Sequence, residues 1–340
     1  MDNLIEFTDK GLYCPPADVF IDPWQPVDKA IITHAHSDHS RWGMKHYLAH
    51  RQSEHIMRLR LGQDIRLETL EYNDPVDING VTISFHPAGH IMGSAQVKLT
   101  YQGESWVVSG DYKLEEDGFT VPFEPIRCHA FITESTFGLP IYRWRPQAEI
   151  MEDINAWWRG NQEKGKASLI GAYALGKAQR IIAGVDRSIG PILLHGAVAN
   201  VNEALIAGGA NLPSLEKVSS DTSKDTIARS LIIAPSSAFN SPWINKLKPY
   251  SLGIASGWMN IRGAKRRRAA DRGFVLSDHA DWPGLNQAIE ETGAERVYVT
   301  HGFTSAFSRW LREKGLDSQE VETLYEGELS EISESADDLK

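Results

Sequence analysis
Directly after the apolar run Ala30-Ile31-Ile32 the chain reads Thr33-His34-Ala35-His36-Ser37-Asp38-His39. Such a run forms a buried strand, and the loop behind it carries four metal-competent side chains, His34, His36, Asp38 and His39, within six residues. From a loop these groups project in different directions and can serve two neighbouring ions. The pattern has little use in packing, where a lone histidine would be satisfied in the core or at the surface.

Two ions need more ligands, and three candidates stand where an apolar strand gives way to a glycine-containing turn. They are His90 in Pro87-Ala88-Gly89-His90, Asp111 in Ser109-Gly110-Asp111 and His301 in Val299-Thr300-His301-Gly302. Paired divalent ions can share a hydroxide that is ready at neutral pH and can neutralise charge building on a phosphoryl or acyl oxygen. Ligation by nitrogen and oxygen alone suits Zn2+ and admits Mn2+. Cys14 and Cys128 are too few for a thiolate cluster or a disulfide framework; both read as structural and fit a reducing compartment.

The 340 residues correspond to two domains or one large one at roughly 150 residues per domain. With 41% hydrophobic and 24% charged residues, the composition excludes a disordered or fibrous chain. No stretch approaches the roughly 18 consecutive apolar residues of a membrane span. Met1-Asp2-Asn3-Leu4-Ile5-Glu6 lacks the build of a signal peptide, so the expected location is the cytoplasm. A net charge of −10 repels a polyanion unless basic residues are gathered locally.

The first 135 residues read as short, hairpin-connected, mostly antiparallel strands, such as Val81-Ile83-Phe85 and Ala95-Val97-Leu99-Tyr101 on alternating positions. From about Pro146 strands alternate with helices, the signature of a parallel α/β unit. Ile150, Ile154, Trp157 and Trp158 mark one helix, Ala178 to Ile182 another, and Ser241 with Pro242 behind it reads as the cap of a third. Short strands return at Phe274-Val275-Leu276 and Arg296-Val297-Tyr298-Val299, with helices ending near Gly293 and Gly315. The tail from Glu328 to Lys340 has the composition of a disordered segment.

The ordered set His34, His36, Asp38, His39, His90, Asp111 and His301 resembles the successive motifs of the metallo-β-lactamase superfamily. The resemblance implies an α/β fold, an αββα sandwich. It also implies one metal on His34, His36, His90 and Asp111, and a second on Asp38, His39, Asp111 and His301, with Asp111 bridging and Asp38 also catalytic. The α/β stretch interrupting this domain resembles the inserted cap of the β-CASP nucleases. That implies a metallo-β-lactamase domain from residues 1–139 and 273–340 around a parallel β-CASP domain at 140–272. Thr133-Glu134-Ser135-Thr136-Phe137-Gly138 resembles the first β-CASP motif, Ala174-Leu175-Gly176-Lys177-Ala178-Gln179 the family's helix opening, and Leu276-Ser277-Asp278-His279-Ala280-Asp281 the second motif. In this reading His279 supplies the proton that a departing alkoxide needs and Glu134 orients it.

The opening Gly11-Leu12-Tyr13-Cys14-Pro15 and the stretch Ile21-Asp22-Pro23-Trp24-Gln25-Pro26-Val27-Asp28 are similar to bacterial ligase-associated DNA exonucleases, relatives of the Artemis-type repair nucleases. The implied function is a metal-dependent exodeoxyribonuclease, preferring single strands and running 5′ to 3′ in DNA repair, with an ATP-dependent DNA ligase and a helicase as implied partners. His301 departs from this branch, because the eukaryotic DNA-acting relatives carry valine there and RNA-acting ones carry histidine. The alternatives are therefore an RNA exonuclease or endonuclease of the same group, and a small-molecule thioester or lactone hydrolase.

Phosphate contacts are expected where basic residues are dense. Arg262, Lys265, Arg266, Arg267, Arg268 and Arg272 fall within eleven residues just before His279. Further candidates are Lys177 for an end phosphate, and Ser236 and Ser237 behind a strand. Of the ten tryptophans, Trp258 and Trp282 lie nearest the motifs as possible stacking platforms.

Overall fold
The computed structural model describes residues 3–260 and 270–325 of the chain. They divide into two compact units, one from residues 3–143 and 279–325, the other from 144–260 and 270–278.

In the first unit two sheets share a core. One has six strands in the order Glu6–Phe7, Leu12–Cys14, Val19–Ile21, Lys29–Ile32, His46–His50 and Leu67–Leu70. The other has seven, running Asp317–Glu320, Arg296–Gly302, Ala130–Ser135, Glu104–Val108, Ala95–Tyr101, Val81–Pro87 and Val76–Ile78. Period-2 alternation splits the central strands of the second sheet between two apolar layers. Trp106, Val108, Ala130, Ile132 and Tyr298 meet Leu12, Val19, Ile21 and Ile31 of the first sheet. Val107, Phe131, Val297 and Val299 face outward onto Leu285, Ala288 and Ile289 of helix Trp282–Thr292 and Phe307 and Leu311 of helix Thr304–Glu313. This is the sandwich anticipated from the sequence.

The expected antiparallel pairing holds for five of the nine strand pairs among the described residues up to 135, and the other four are parallel. Hairpins connect Val76–Ile78 through Val108, but strands 19–21, 29–32, 46–50 and 67–70 pair in parallel. Strands 104–108, 130–135, 296–302 and 317–320 do so as well. Adjacent strands in these parallel sets end on the same side, a property the site depends on.

The second unit is one parallel sheet in the order Glu216–Lys217, Ile192–Leu194, Leu231–Ala234, Ala167–Gly171, Tyr250–Ala255 and Arg272–Phe274. Helices Gln147–Gln162, Lys177–Gly184, Gly196–Ala207 and Lys224–Arg229 alternate with its strands. Strand 272–274 completes this sheet rather than returning to the sandwich, so the unit runs to residue 278, past the expected end at 272. The segment opened by Ser241 is a 3-10 helix, Pro242–Leu247, and the Ser241 side chain makes no cap bond to it; its hydroxyl donates back to the Ala238 carbonyl at 2.8 Å instead.

Gly302 ends strand 296–302 at φ +93°, and a Cβ there would lie 2.3 Å from the Ser135 carbonyl oxygen. Gly302→Ala should destabilise the protein by about 1–3 kcal/mol from backbone conformation alone, plus the cost of parting two central strands. A denaturant midpoint equal to wild type would contradict the close pairing of these strands.

Candidate metal centre
The ligand-bearing loops all leave carboxyl ends of strands in the first unit. His34, His36, Asp38 and His39 follow strand 29–32, His90 follows 81–87 and Asp111 follows 104–108, while Glu134 and His301 sit in the last turns of strands 130–135 and 296–302. Their side chains converge in three overlapping groups among the described residues: His34, His36, His90 and Asp111; His39, Asp111 and His301; Asp111, Glu134 and His279.

Asp111 belongs to all three. Its Oδ2 lies 3.5 Å from His34 Nε2, 3.6 Å from His39 Nε2, 3.8 Å from His90 Nε2 and 4.0 Å from His279 Nδ1. Its Oδ1 lies 3.0 Å from His301 Nε2, and His90 Nε2 lies 3.0 Å from His36 Nδ1. Asp38 stands at the edge of the second group, its Oδ2 3.8 Å from His39 Nε2.

The framework behind these donors is hydrogen-bonded. Asp22, at φ +43°, accepts from the Thr33 backbone N–H at 2.7 Å and from the Thr33 hydroxyl at 2.5 Å, and it holds His39 Nδ1 at 2.8 Å. Thr33 Oγ1 lies 3.0 Å from His34 Nδ1. Gly110, at φ +57°, lets the Asp111 loop pass this hydroxyl, since a Cβ would come within 2.6 Å of it. With their Nδ1 atoms held, His34 and His39 turn Nε2 toward Asp111, and both Nε2 atoms are buried without a hydrogen-bond partner.

The electrostatics match that arrangement. Burial, reinforced by the charge of His39, holds the His34 imidazole well below its ordinary pKa. Burial also opposes charge on His39, but Asp111, Asp38 and Asp22 outweigh it and push that group up to about 10. Burial works against ionisation of Asp111, yet His39, His301 and His279 hold its carboxyl well below the usual range. A buried carboxylate ringed by imidazoles, three of them (His34, His39 and His301) with a buried Nε2 that has no hydrogen-bond partner, fits a pair of divalent cations.

Glu134 and His279 form the third group. Glu134 Oε1 accepts from the Tyr112 backbone N–H at 2.9 Å, and its two oxygens lie 3.1 and 2.9 Å from His279 Nδ1. The Ala280 N–H donates to the Tyr112 carbonyl at 2.7 Å. The helix at Trp282–Thr292 is capped by Asp281, which accepts from the Gly284 N–H at 3.0 Å, so His279 is not its cap.

The nucleic-acid candidates fare differently. Lys177 is fully buried, its Nζ 3.1 Å from Asp278 Oδ2 while Arg180 takes Oδ1 at 2.8 Å. An ammonium so committed serves a buried ion pair, which corrects the expected phosphate contact. Ser236 and Ser237 are half-buried in the 3-10 turn Ser236–Asn240, behind strand 231–234. Arg262, Lys265, Arg266, Arg267 and Arg268 lie outside the described residues. Trp282 packs against Phe307 and Trp310 in the core and offers no stacking face, whereas Trp258 is half-buried.

Sequence reasoning passed over Asp22 and Thr33 as site residues. The available signal was position: Asp22 ends strand 19–21, which pairs in parallel with the strand feeding the histidine loop. Its carboxylate therefore emerges beside that loop.

Among known proteins, the chain is similar to a probable DNA ligase of Opitutus terrae, 29% identical over 313 residues, covering 91% of this chain and 30% of the relative. The endoribonuclease ysh1 of Aspergillus fumigatus is 31% identical over 140 residues, 40% of this chain and 15% of the relative. The cleavage and polyadenylation specificity factor 73 of Drosophila melanogaster is 26% identical over 165 residues, 46% of this chain and 24% of the relative. The chain thus spans less than a third of the length of each of these relatives. No family profile matches. A solved protein of unknown function from Enterococcus faecalis shares the fold with a TM-score of 0.55 at 12% identity, over 80% of this chain and 74% of that one.

Because Asp22 orients both Thr33 and His39, Asp22→Asn should weaken divalent-metal binding by about 10–100-fold. Competition with a chromogenic chelator measures this; unchanged affinity would remove Asp22 from the support of the centre.

Proposed function
We propose that the chain is a member of the β-CASP group of the metallo-β-lactamase superfamily, to which its similarity to the ysh1 endoribonuclease and the cleavage and polyadenylation specificity factor 73 points, and that it is a metal-dependent phosphodiesterase, an exonuclease acting on DNA. The supporting observation is the third group of the centre, where His279 is held by Glu134 and lies 4.0 Å from the carboxylate shared by the two ligand sets. A thioesterase, whose leaving thiolate is stable near neutral pH, has less need of a proton donor beside its ligands; a phosphodiester must expel an alkoxide.

We read the second unit as the β-CASP domain, inserted between the two segments of a metallo-β-lactamase domain. His34, His36, His90 and Asp111 would hold one ion and His39, Asp111, His301 and Asp38 a second, with zinc as the metal and manganese as its substitute. Bound there, the ions supply an activated water and neutralise charge on the phosphoryl oxygens. Glu134 fixes the His279 ring through Nδ1, which leaves Nε2 on the opposite side of the ring to deliver a proton to the leaving oxygen.

DNA as the substrate is supported by the relative named for a DNA ligase, whose match extends over 91% of this chain against 40% for the ysh1 endoribonuclease. The same name supports a ligase partner, and resemblance supports a role in repair, a helicase partner, single-strand preference and 5′ to 3′ polarity. His301 favours the second reading, an RNA nuclease. No helix among the described residues is long and apolar enough to cross a membrane. Buried, unpaired Cys14 and Cys128 support a reducing, cytoplasmic setting.

End-labelled single strands of DNA and RNA of one sequence distinguish these readings. Stepwise shortening of DNA alone, with the 5′ label released first and no activity in Asp38→Ala, is expected; preferential cutting of RNA would overturn the DNA reading. His279→Ala should lower kcat by about 10²–10⁴-fold while both metals stay bound, and an unchanged kcat would deny His279 its role as acid.

A further inference from the structure
Tyr325, beyond the strand Asp317–Glu320, has no part in the chemistry above, yet it packs against the centre. Three hydrogen bonds bring its segment there. Val321 N–H donates to the Val299 carbonyl at 2.9 Å, Arg41 donates to the Leu324 carbonyl at 2.7 Å, and the Tyr325 hydroxyl donates to the Asp22 carbonyl at 3.0 Å.

The phenol ring is buried and stacks on His39, with centroids 4.3 Å apart and planes 13° from parallel. It meets His301 edge-on at 5.6 Å and 81°, and Trp24 edge-on at 5.5 Å and 78°. Its ring partners among the described residues are these three, so it touches both histidines of the His39, Asp111, His301 group and none of His34, His36 or His90. Asp22 joins the two ends of the contact, since its carboxylate holds His39 Nδ1 at 2.8 Å and its carbonyl receives the Tyr325 hydroxyl. Burial raises the phenol well above its ordinary pKa, so the hydroxyl stays a donor.

We infer that Tyr325 is a positioning residue for one of the two metal ions, the one held by His39, Asp111 and His301. An imidazole anchored at Nδ1 alone can still tilt about that bond and carry Nε2 away from Asp111. A flat ring stacked on its face removes this freedom, and the same ring limits His301 from the side. Tyr325 therefore acts on one ligand set and leaves the other alone. The inference rests on reading the groups around Asp111 as a two-metal centre.

The test uses the full chain loaded with Co2+, as wild type, Tyr325→Phe and Tyr325→Ala, challenged with rising chelator. Bound cobalt and its visible ligand-field bands are followed beside thermal unfolding. Wild type should carry two ions. In Tyr325→Ala one ion should leave at about 10–100-fold lower chelator while the other is retained as in wild type. Tyr325→Phe keeps the stack and loses the hydroxyl bond, so it should fall between, and it carries the test if the alanine variant does not fold. Wild-type retention of both ions in the variants, or equal weakening of both, would overturn the role. A wild type that binds fewer than two ions would instead overturn the two-metal reading beneath it.

Discussion

A single buried carboxylate organises this protein. Asp111 has five imidazoles within 4.0 Å: His34, His39, His90, His279 and His301. An isolated charge so deep would cost several kcal/mol in lost hydration, so the surrounding structure must supply positive charge from every side. That charge comes from His39, His301 and His279, carried by the loop after strand 29–32, the end of strand 296–302 and the segment before helix 282–292. The hydrogen bonds of Asp22, Thr33 and Glu134 serve to hold the imidazoles facing it.

The sheet explains how residues so far apart in the chain meet. Strands 104–108, 130–135 and 296–302 are consecutive parallel neighbours, so Asp111, Glu134 and His301 arrive on one edge although the second unit lies between the latter two in the chain. Two packed faces keep those strands in register. Trp106 and Ile132 bind them to the other sheet, and Val107, Phe131 and Val299 bind them to the helices. A slip of one residue would exchange the two faces and carry the ligands away with them.

The seven candidate ligand residues stood out because their chemistry is dense and serves no packing purpose, and His279 and Glu134 because they stand in motifs with a recognisable order. Asp22 and Tyr325 were not, since nothing local marks them: an aspartate before a proline and a tyrosine in an acidic stretch gain meaning only through partners 17 and 303 residues away. Lys177 misled for the opposite reason. Its glycine-flanked helix opening looks like a phosphate site, while its partner Asp278 lies a hundred positions further on. The parallel pairing of the first sheet was also hidden, because short strands alternate in the same way whichever direction their neighbours run.

The central claim is that Asp111 joins two metal ions in one centre. Electron paramagnetic resonance of the Mn2+-loaded protein tests it most directly, because ions bridged by one carboxylate are magnetically coupled and isolated ions are not. A coupled spectrum that disappears in Asp111→Ala is the predicted result. Uncoupled manganese in the fully loaded wild type would contradict the account.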